Sequence, residues 1–265
     1  MAFSFGNTII TEGLAFYADA ANFQSYPGSG TTWTDITPNK LNGTLTNSPT
    51  YTTNGGGGII FNSASLQTFS FPNVSITTES FAYDFWIKPA AYAGGSVPGG
   101  ANWPGMLSTV NYVDYVANPA TLAITGTGIA IGFYGAQSYM MYGAVFTGSL
   151  LPTASKLGSD LGYTGSIAPT LTTSSVYNII VQRNTSTSHL ELYVNGTYYN
   201  KIYIPNSSYS ISGSFPLRSS IRSVNSSDSY YPNGTYYNIK IYKGKYLTQA
   251  EVTQNYNALK GRFGL

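Results

Sequence analysis

Hydrophobic and polar positions alternate along most of this chain. In "LELYVNGTYYNKIYI", residues 190–204, Leu190, Leu192 and Val194 are separated by Glu191 and Tyr193; Asn195-Gly196 follows, and a second β-rich run leads away from Thr197. A period of two is that of a strand with one face turned inward. Asn-Gly between two such runs predicts a type I′ hairpin, because both central residues need positive φ. Similar short runs recur at 14–18, 59–61, 80–88, 128–134, 139–146, 176–183 and 235–242, broken by Gly, Pro and Asn. In 80–88, Phe81, Tyr83, Phe85 and Ile87 make one apolar face, while Ala82, Asp84, Trp86 and Lys88 make a mixed one. Many short strands with turns between them, and no interleaved helices, predict an antiparallel sandwich or barrel.

The last twenty residues, "YLTQAEVTQNYNALKGRFGL", follow a helical period instead. Thr248 and Glu251 stand three apart, as a capping box requires, with Leu247 and Val252 placed as the hydrophobic staple around them. Val252, Tyr256 and Leu259 lie on one helical face, Lys260 falls in the last turn, and Gly261 is expected as the C′ residue. This predicts a single short helix laid against the sheets.

Two stretches have no sustained period: 89–105, rich in Gly and Pro around Trp103, and 147–175. Loops of this length are uncommon in compact domains and usually functional. Strand patterns on both sides belong to one sheet system, so the expectation is one domain, 12–265, carrying two long loops and preceded by an arm, 1–11.

Composition narrows the picture. Charged residues are only 8% of the chain, against roughly 25% in an average soluble protein, while aromatics reach 15%. That combination indicates an ordered fold whose surface relies on neutral hydrogen-bonding side chains. With no cysteine there is no disulfide framework or thiolate metal site. The first residues, "MAFSFGNTIITEGL", show no basic n-region or unbroken apolar stretch, so no signal peptide is expected and the Asn-x-Ser/Thr sequons are discounted. No run approaches the ~20 apolar residues of a membrane helix. A net charge of +2 sets up no strong field toward nucleic acid or membrane.

Four blocks resemble the concanavalin A-like lectin/glucanase superfamily in its laminin-G-like form, common in phage and virus structural proteins. They are "GLAFYADAANFQSYPGSGTTWTDITPNKLNGTL" (13–45), "ESFAYDFWIKP" (79–89), "VYNIIVQRNTSTSHLELYVNGTYY" (176–199) and "GTYYNIKIYKGKYLTQAEVTQNYNALKGRFG" (234–264). The stretch from Ser25 to Trp33 and the ending from Asn255 to Gly264 most resemble tailed-phage virion proteins. The resemblance implies an all-β, two-sheet antiparallel jelly-roll sandwich with one short C-terminal α-helix.

Glucanases of that superfamily carry Glu-x-Asp-x-x-Glu on one strand. Here Glu12, Glu79, Glu191 and Glu251 are followed two residues later by Leu14, Phe81, Tyr193 and Thr253, so the pattern is missing. Glu251 reads as a helix cap and Glu191 as facing the polar side of its hairpin. The only histidine, His189, reads as a solvent-facing strand residue, and neither a Gly-x-Ser-x-Gly elbow nor a P-loop is present. The expectation is a protein that is not an enzyme and has no cofactor. Ca²⁺ would draw on Asp19, Asn22, Asp35 and Asn39, whose side chains also suit turns that bond their own backbone. A sugar needs aromatic platforms beside amides or carboxylates. Asn102 and Trp103 in the first long loop, and Tyr112, Asp114 and Tyr115 beyond it, fit that chemistry, although strand tyrosines also simply cover sheets. Lys240, Lys243 and Lys245 read as a solvated strand end or subunit contact rather than a nucleic-acid footprint.

With the resemblance, these features imply a virion structural protein of a tailed phage, a capsid decoration or fibre component assembled in the host cytoplasm. It would act as a homo-oligomer on the particle by packing against other virion subunits, with Phe3 and Phe5 of the arm as docking residues. The alternative is a lectin-like module that attaches the particle to host-surface glycan.

Overall fold

The structure, a computed structural model, describes residues 8–72, 74–76, 78–90, 105–108, 112–115, 122–125, 128–134, 139–145, 155–157, 171–173, 175–203, 217–219, 221–222, 229–230 and 232–265. Two eight-stranded antiparallel sheets form a jelly-roll sandwich with one C-terminal helix. In the first sheet the strands run Thr197–Tyr203, His189–Val194, Tyr177–Asn184, Phe81–Pro89 and Gly234–Lys243. Beyond the last, Leu14–Asp19 pairs with its C-terminal half; Gly58–Phe61, followed by Thr50–Thr52, pairs with its N-terminal half. The second sheet runs from Ser155–Leu157 through Tyr139–Val145, Gly128–Tyr134, Gly105–Ser108, Leu217–Arg218 and Thr68–Phe71 to Gly43–Thr46 and Thr32–Trp33. Ser155–Leu157 lies inside 147–175, so a stretch with no legible period still supplies an edge strand, held by its pairing with Tyr139–Val145.

The hairpin is as the sequence predicts. Asn195 and Gly196 have φ of 51° and 76°, and His189–Val194 pairs with Thr197–Tyr203 across them. The inward set of each central strand fills the space between the sheets. Phe81, Tyr83, Phe85 and Ile87 meet Ile179, Val181, Leu190, Leu192 and Ile239, all buried. Aromatic edges knit the sheets together: Phe69 lies 5.7 Å from Trp33, 5.6 Å from Phe61 and 5.2 Å from Tyr236, with each ring pair nearly perpendicular. Such geometry sets a ring's positive edge against its neighbour's negative face.

The outward set of the first sheet is buried too. Phe81–Pro89 is buried at seven consecutive positions because the helix Gln249–Leu259 and the chain leading into it cover the sheet's outer face. Leu247 and Val252 pack there with Ala82, Ile180, Tyr193 and Tyr242. The helix opens with the expected capping box: Thr248 Oγ1 accepts from Glu251 N–H at 3.3 Å, and Glu251 Oε2 accepts from Thr248 N–H at 2.8 Å. Its end differs from the expected Gly261 stop. The chain continues as a 3₁₀ turn, Lys260–Phe263, and the left-handed residue is Gly264, φ 69°. Continuation places Phe263 over Trp86, ring centroids 4.6 Å apart, and lets Arg262 reach Asp19 at 3.0 Å. The docked face keeps Val252 and Tyr256 of the expected stripe, Val252 fully buried and Tyr256 stacked on Trp86 with ring centroids 5.6 Å apart, and adds a polar residue the pattern did not mark, the fully buried Asn255.

Residues 8–12 are tied down beside the helix. Ile10 N–H donates to Asn255 Oδ1 at 2.8 Å, Ile10 C=O accepts from Tyr242 Oη at 3.0 Å, and Thr8 C=O accepts from Gln254 Nε2 at 2.8 Å. Residues 8–11 of the expected arm, those next to the domain, therefore take part in its packing.

Candidate functional site

The helix conceals a layer of polar side chains on the outer face of the first sheet. Asp84 and Lys240, opposite each other in neighbouring strands, form a wholly buried ion pair at 3.0 Å. Asn178 Nδ2 donates to Asp84 Oδ1 at 2.7 Å and Asn255 Nδ2 to Asp84 Oδ2 at 3.0 Å; Lys240 Nζ also reaches Asn238 Oδ1 at 3.3 Å. Desolvating two charges is costly, and only their attraction plus these amide contacts offsets it. The expectation that Lys240 is solvated is therefore corrected: its strand is covered on both faces. Lys243 and Lys245 stay near the surface, paired with Glu79 and with Glu12 and Glu251.

Glu191 requires a second correction. It does lie on the hairpin's outward face, but the segment before the helix covers that face, leaving Glu191 8% exposed. Its Oε2 accepts from Tyr193 Oη and Tyr246 Oη, both at 2.9 Å, and from Gln182 Nε2 at 3.4 Å. Burial, the bond with Tyr246 and the adjacent Glu191 push the Tyr193 phenol far above its ordinary pKa, so it remains a proton donor. His189 is half-buried rather than solvent-facing.

The carboxylates considered for Ca²⁺ serve the fold. Asp35, fully buried, accepts from the N–H groups of Tyr17, Thr37 and Leu41 and from Thr37 Oγ1, at 2.9–3.1 Å. Asp19 pairs with Arg262 and accepts from Tyr17 Oη; Asn22 accepts from Gln24 N–H; Asn39 donates to Ala15 C=O. Among the described residues, no three His, Cys, Asp or Glu side chains cluster as a metal site.

Asn102 and Trp103 lie outside the described residues, as do Phe3 and Phe5. Tyr112, Asp114 and Tyr115 fall on one short strand, Tyr112–Tyr115, paired antiparallel with Leu122–Thr125 and belonging to neither large sheet. This ribbon joins adjacent strands of the second sheet, Gly105–Ser108 and Gly128–Tyr134. A second ribbon, Ile221–Arg222 with Ser229–Tyr230, comes within 8 Å of it, Cα to Cα. The sequence put these three residues just beyond the first long loop, with no sign of either ribbon.

No family model matches the chain, and no curated protein matches it in sequence. Solved structures do match. The binding domain of Paraclostridial Mosquitocidal Protein 1 aligns with a TM-score of 0.63 and 14% identity over 92% of this chain and 52% of its own. A botulinum neurotoxin type C structure, whose cell entry depends on interaction with two ganglioside molecules, gives 0.58 and 13% over 93% and 51%. What these structures share with the chain is the two-sheet jelly-roll fold. This chain spans about half the length of those toxin chains. Domain 4 of AbnA, a GH43 extracellular arabinanase from Geobacillus stearothermophilus solved with arabinotriose, gives 0.55 and 14% over 91% of this chain and 97% of its own. At these identities the shared property is the jelly roll itself.

Proposed function

We propose that this jelly roll is a non-catalytic, lectin-like module that binds cell-surface carbohydrate. The observation that carries the reading is the nearly end-to-end likeness to the arabinotriose-bound AbnA domain. The ganglioside-dependent toxin supports it. So does the state of the acids: those whose side chains are described are engaged by cations, amides, phenols or backbone N–H groups. Asn102, Trp103, Tyr112, Asp114 and Tyr115 supply the aromatic platform and hydrogen-bonding groups of the site. A glycan array probed with the full chain tests this: specific binding that falls at least tenfold in Trp103→Ala is expected, and an array with no binding above background overturns it.

The finer placement, on a tailed-phage virion as a decoration or fibre component, is supported by the sequence blocks at 13–45 and 234–264. On such a particle the charge-poor, tyrosine-rich surface would pack against other subunits, since interface cores are enriched in aromatics and depleted of Lys, Glu and Asp. The glycan-binding face would then attach the particle to its host. Immunogold labelling of purified particles is expected to decorate them; absence of label on intact and disrupted particles overturns this placement.

A further inference from the structure

Glu191 has an arrangement that the fold does not require. A carboxylate buried to this degree normally carries a cation or a full complement of donors. Glu191 has no ion pair among the described residues; Lys201 stands opposite it in register, exposed, and forms none. Its three donors all converge on Oε2, while Oε1 accepts from none of the described residues. Gln182, one of the donors, is fixed by Leu247, accepting from its N–H at 3.1 Å and donating to its C=O at 2.9 Å. Next to the carboxylate, Tyr198 on the edge strand packs edge-to-face on Tyr193, centroids 5.4 Å apart, yet remains 42% exposed. Tyr246, which donates to Oε2, is half-buried.

We propose that this notch, formed by Glu191, Tyr193, Tyr198 and Tyr246, is a binding site for a neutral saccharide. The inference rests on the lectin reading and adds a second site, on the first sheet rather than the 112–115 ribbon, with a defined ligand class. Oε1 accepts two adjacent sugar hydroxyls, and hydrogen bonds to a charged acceptor are the stronger kind. The exposed face of Tyr198 takes the C–H face of the ring. The phenols of Tyr193 and Tyr246 both donate to Oε2 and hold that oxygen, leaving Oε1 to the ligand. A sialylated or sulfated sugar is excluded, since its charge would face a carboxylate without a counter-cation.

Calorimetric titration of the full chain with arabinotriose, a β-glucan tetrasaccharide and sialyllactose tests this in wild type, Glu191→Gln, Tyr198→Ala and Trp103→Ala. Glutamine keeps an oxygen for the two phenols but presents an NH₂ where the sugar needs an acceptor. The expected result is that a neutral sugar binds wild type, and that Glu191→Gln and Tyr198→Ala each bind it at least tenfold more weakly with Tm within about 2 °C of wild type. If Glu191→Gln fails to fold, the exposed Tyr198→Ala decides. Unchanged neutral-sugar binding in both variants overturns the notch. So does binding of sialyllactose alone, lost in Trp103→Ala, which leaves the lectin reading standing. Binding of no sugar overturns both.

Discussion

Single residues in this protein carry constraints that their neighbours impose. Gly196 needs φ of 76°, and a Cβ there would come within 3.1 Å of the Tyr256 ring. Gly196→Ala therefore combines backbone strain with a tight contact, and is expected to destabilise by more than the ~1 kcal/mol by which such a change can stabilise at a compatible site; urea denaturation measures it. Asp84 offers a sharper contrast. Asp84→Ala leaves Lys240 buried and unpaired and is expected to cost about 3–5 kcal/mol, whereas Asp84→Leu combined with Lys240→Met should recover most of that loss, because removing both charges removes the desolvation cost as well. A double variant as unstable as the single one would show that the amides of Asn178 and Asn255 need the carboxylate for their own satisfaction. Asp84 and Lys240 both appear in the sequence as polar letters in strands, and nothing local distinguishes a buried pair from two solvated residues.

Elements show where local rules end. The helix start was legible because a capping box is written within four residues, and Thr248→Ala is expected to cost about 1 kcal/mol. Its end was not, because Phe263 and Arg262 find partners in Trp86 and Asp19, far away in the chain, and these carry the helix past Gly261. Glu251 links this element to pH. Burial raises its pKa, but hydrogen bonds from Lys245 and Thr248 outweigh that and leave it below its ordinary value. A carboxylate lowered in the folded state contributes stability above its unfolded pKa and loses it as pH falls through the folded one. The Tm of wild type should therefore fall toward that of Glu251→Gln as pH drops below about 4.3, with the gap restored above it. Parallel Tm curves through that range would show that the Lys245 contact contributes nothing.

At the scale of the whole molecule, stability rests on the aromatic contacts between sheets. Phe69 touches Trp33, Phe61, Phe71 and Tyr236, and Phe69→Ala is expected to destabilise by about 3–5 kcal/mol. Calorimetry should show one lowered transition, since both sheets share that core. The sequence alone determined the class of fold, the 195–196 hairpin, the inward faces of the central strands and the helix start, because each depends on residues within a few positions of one another. Only the tertiary structure decided that the outer face of the first sheet is a second interior. There Asp84 meets Lys240 and Glu191 meets Tyr246, from strands and segments distant in sequence. Period two tells which residues share a face; whether that face meets water or a helix depends on what folds back over it, and burial sets the energetic role of every charge found there.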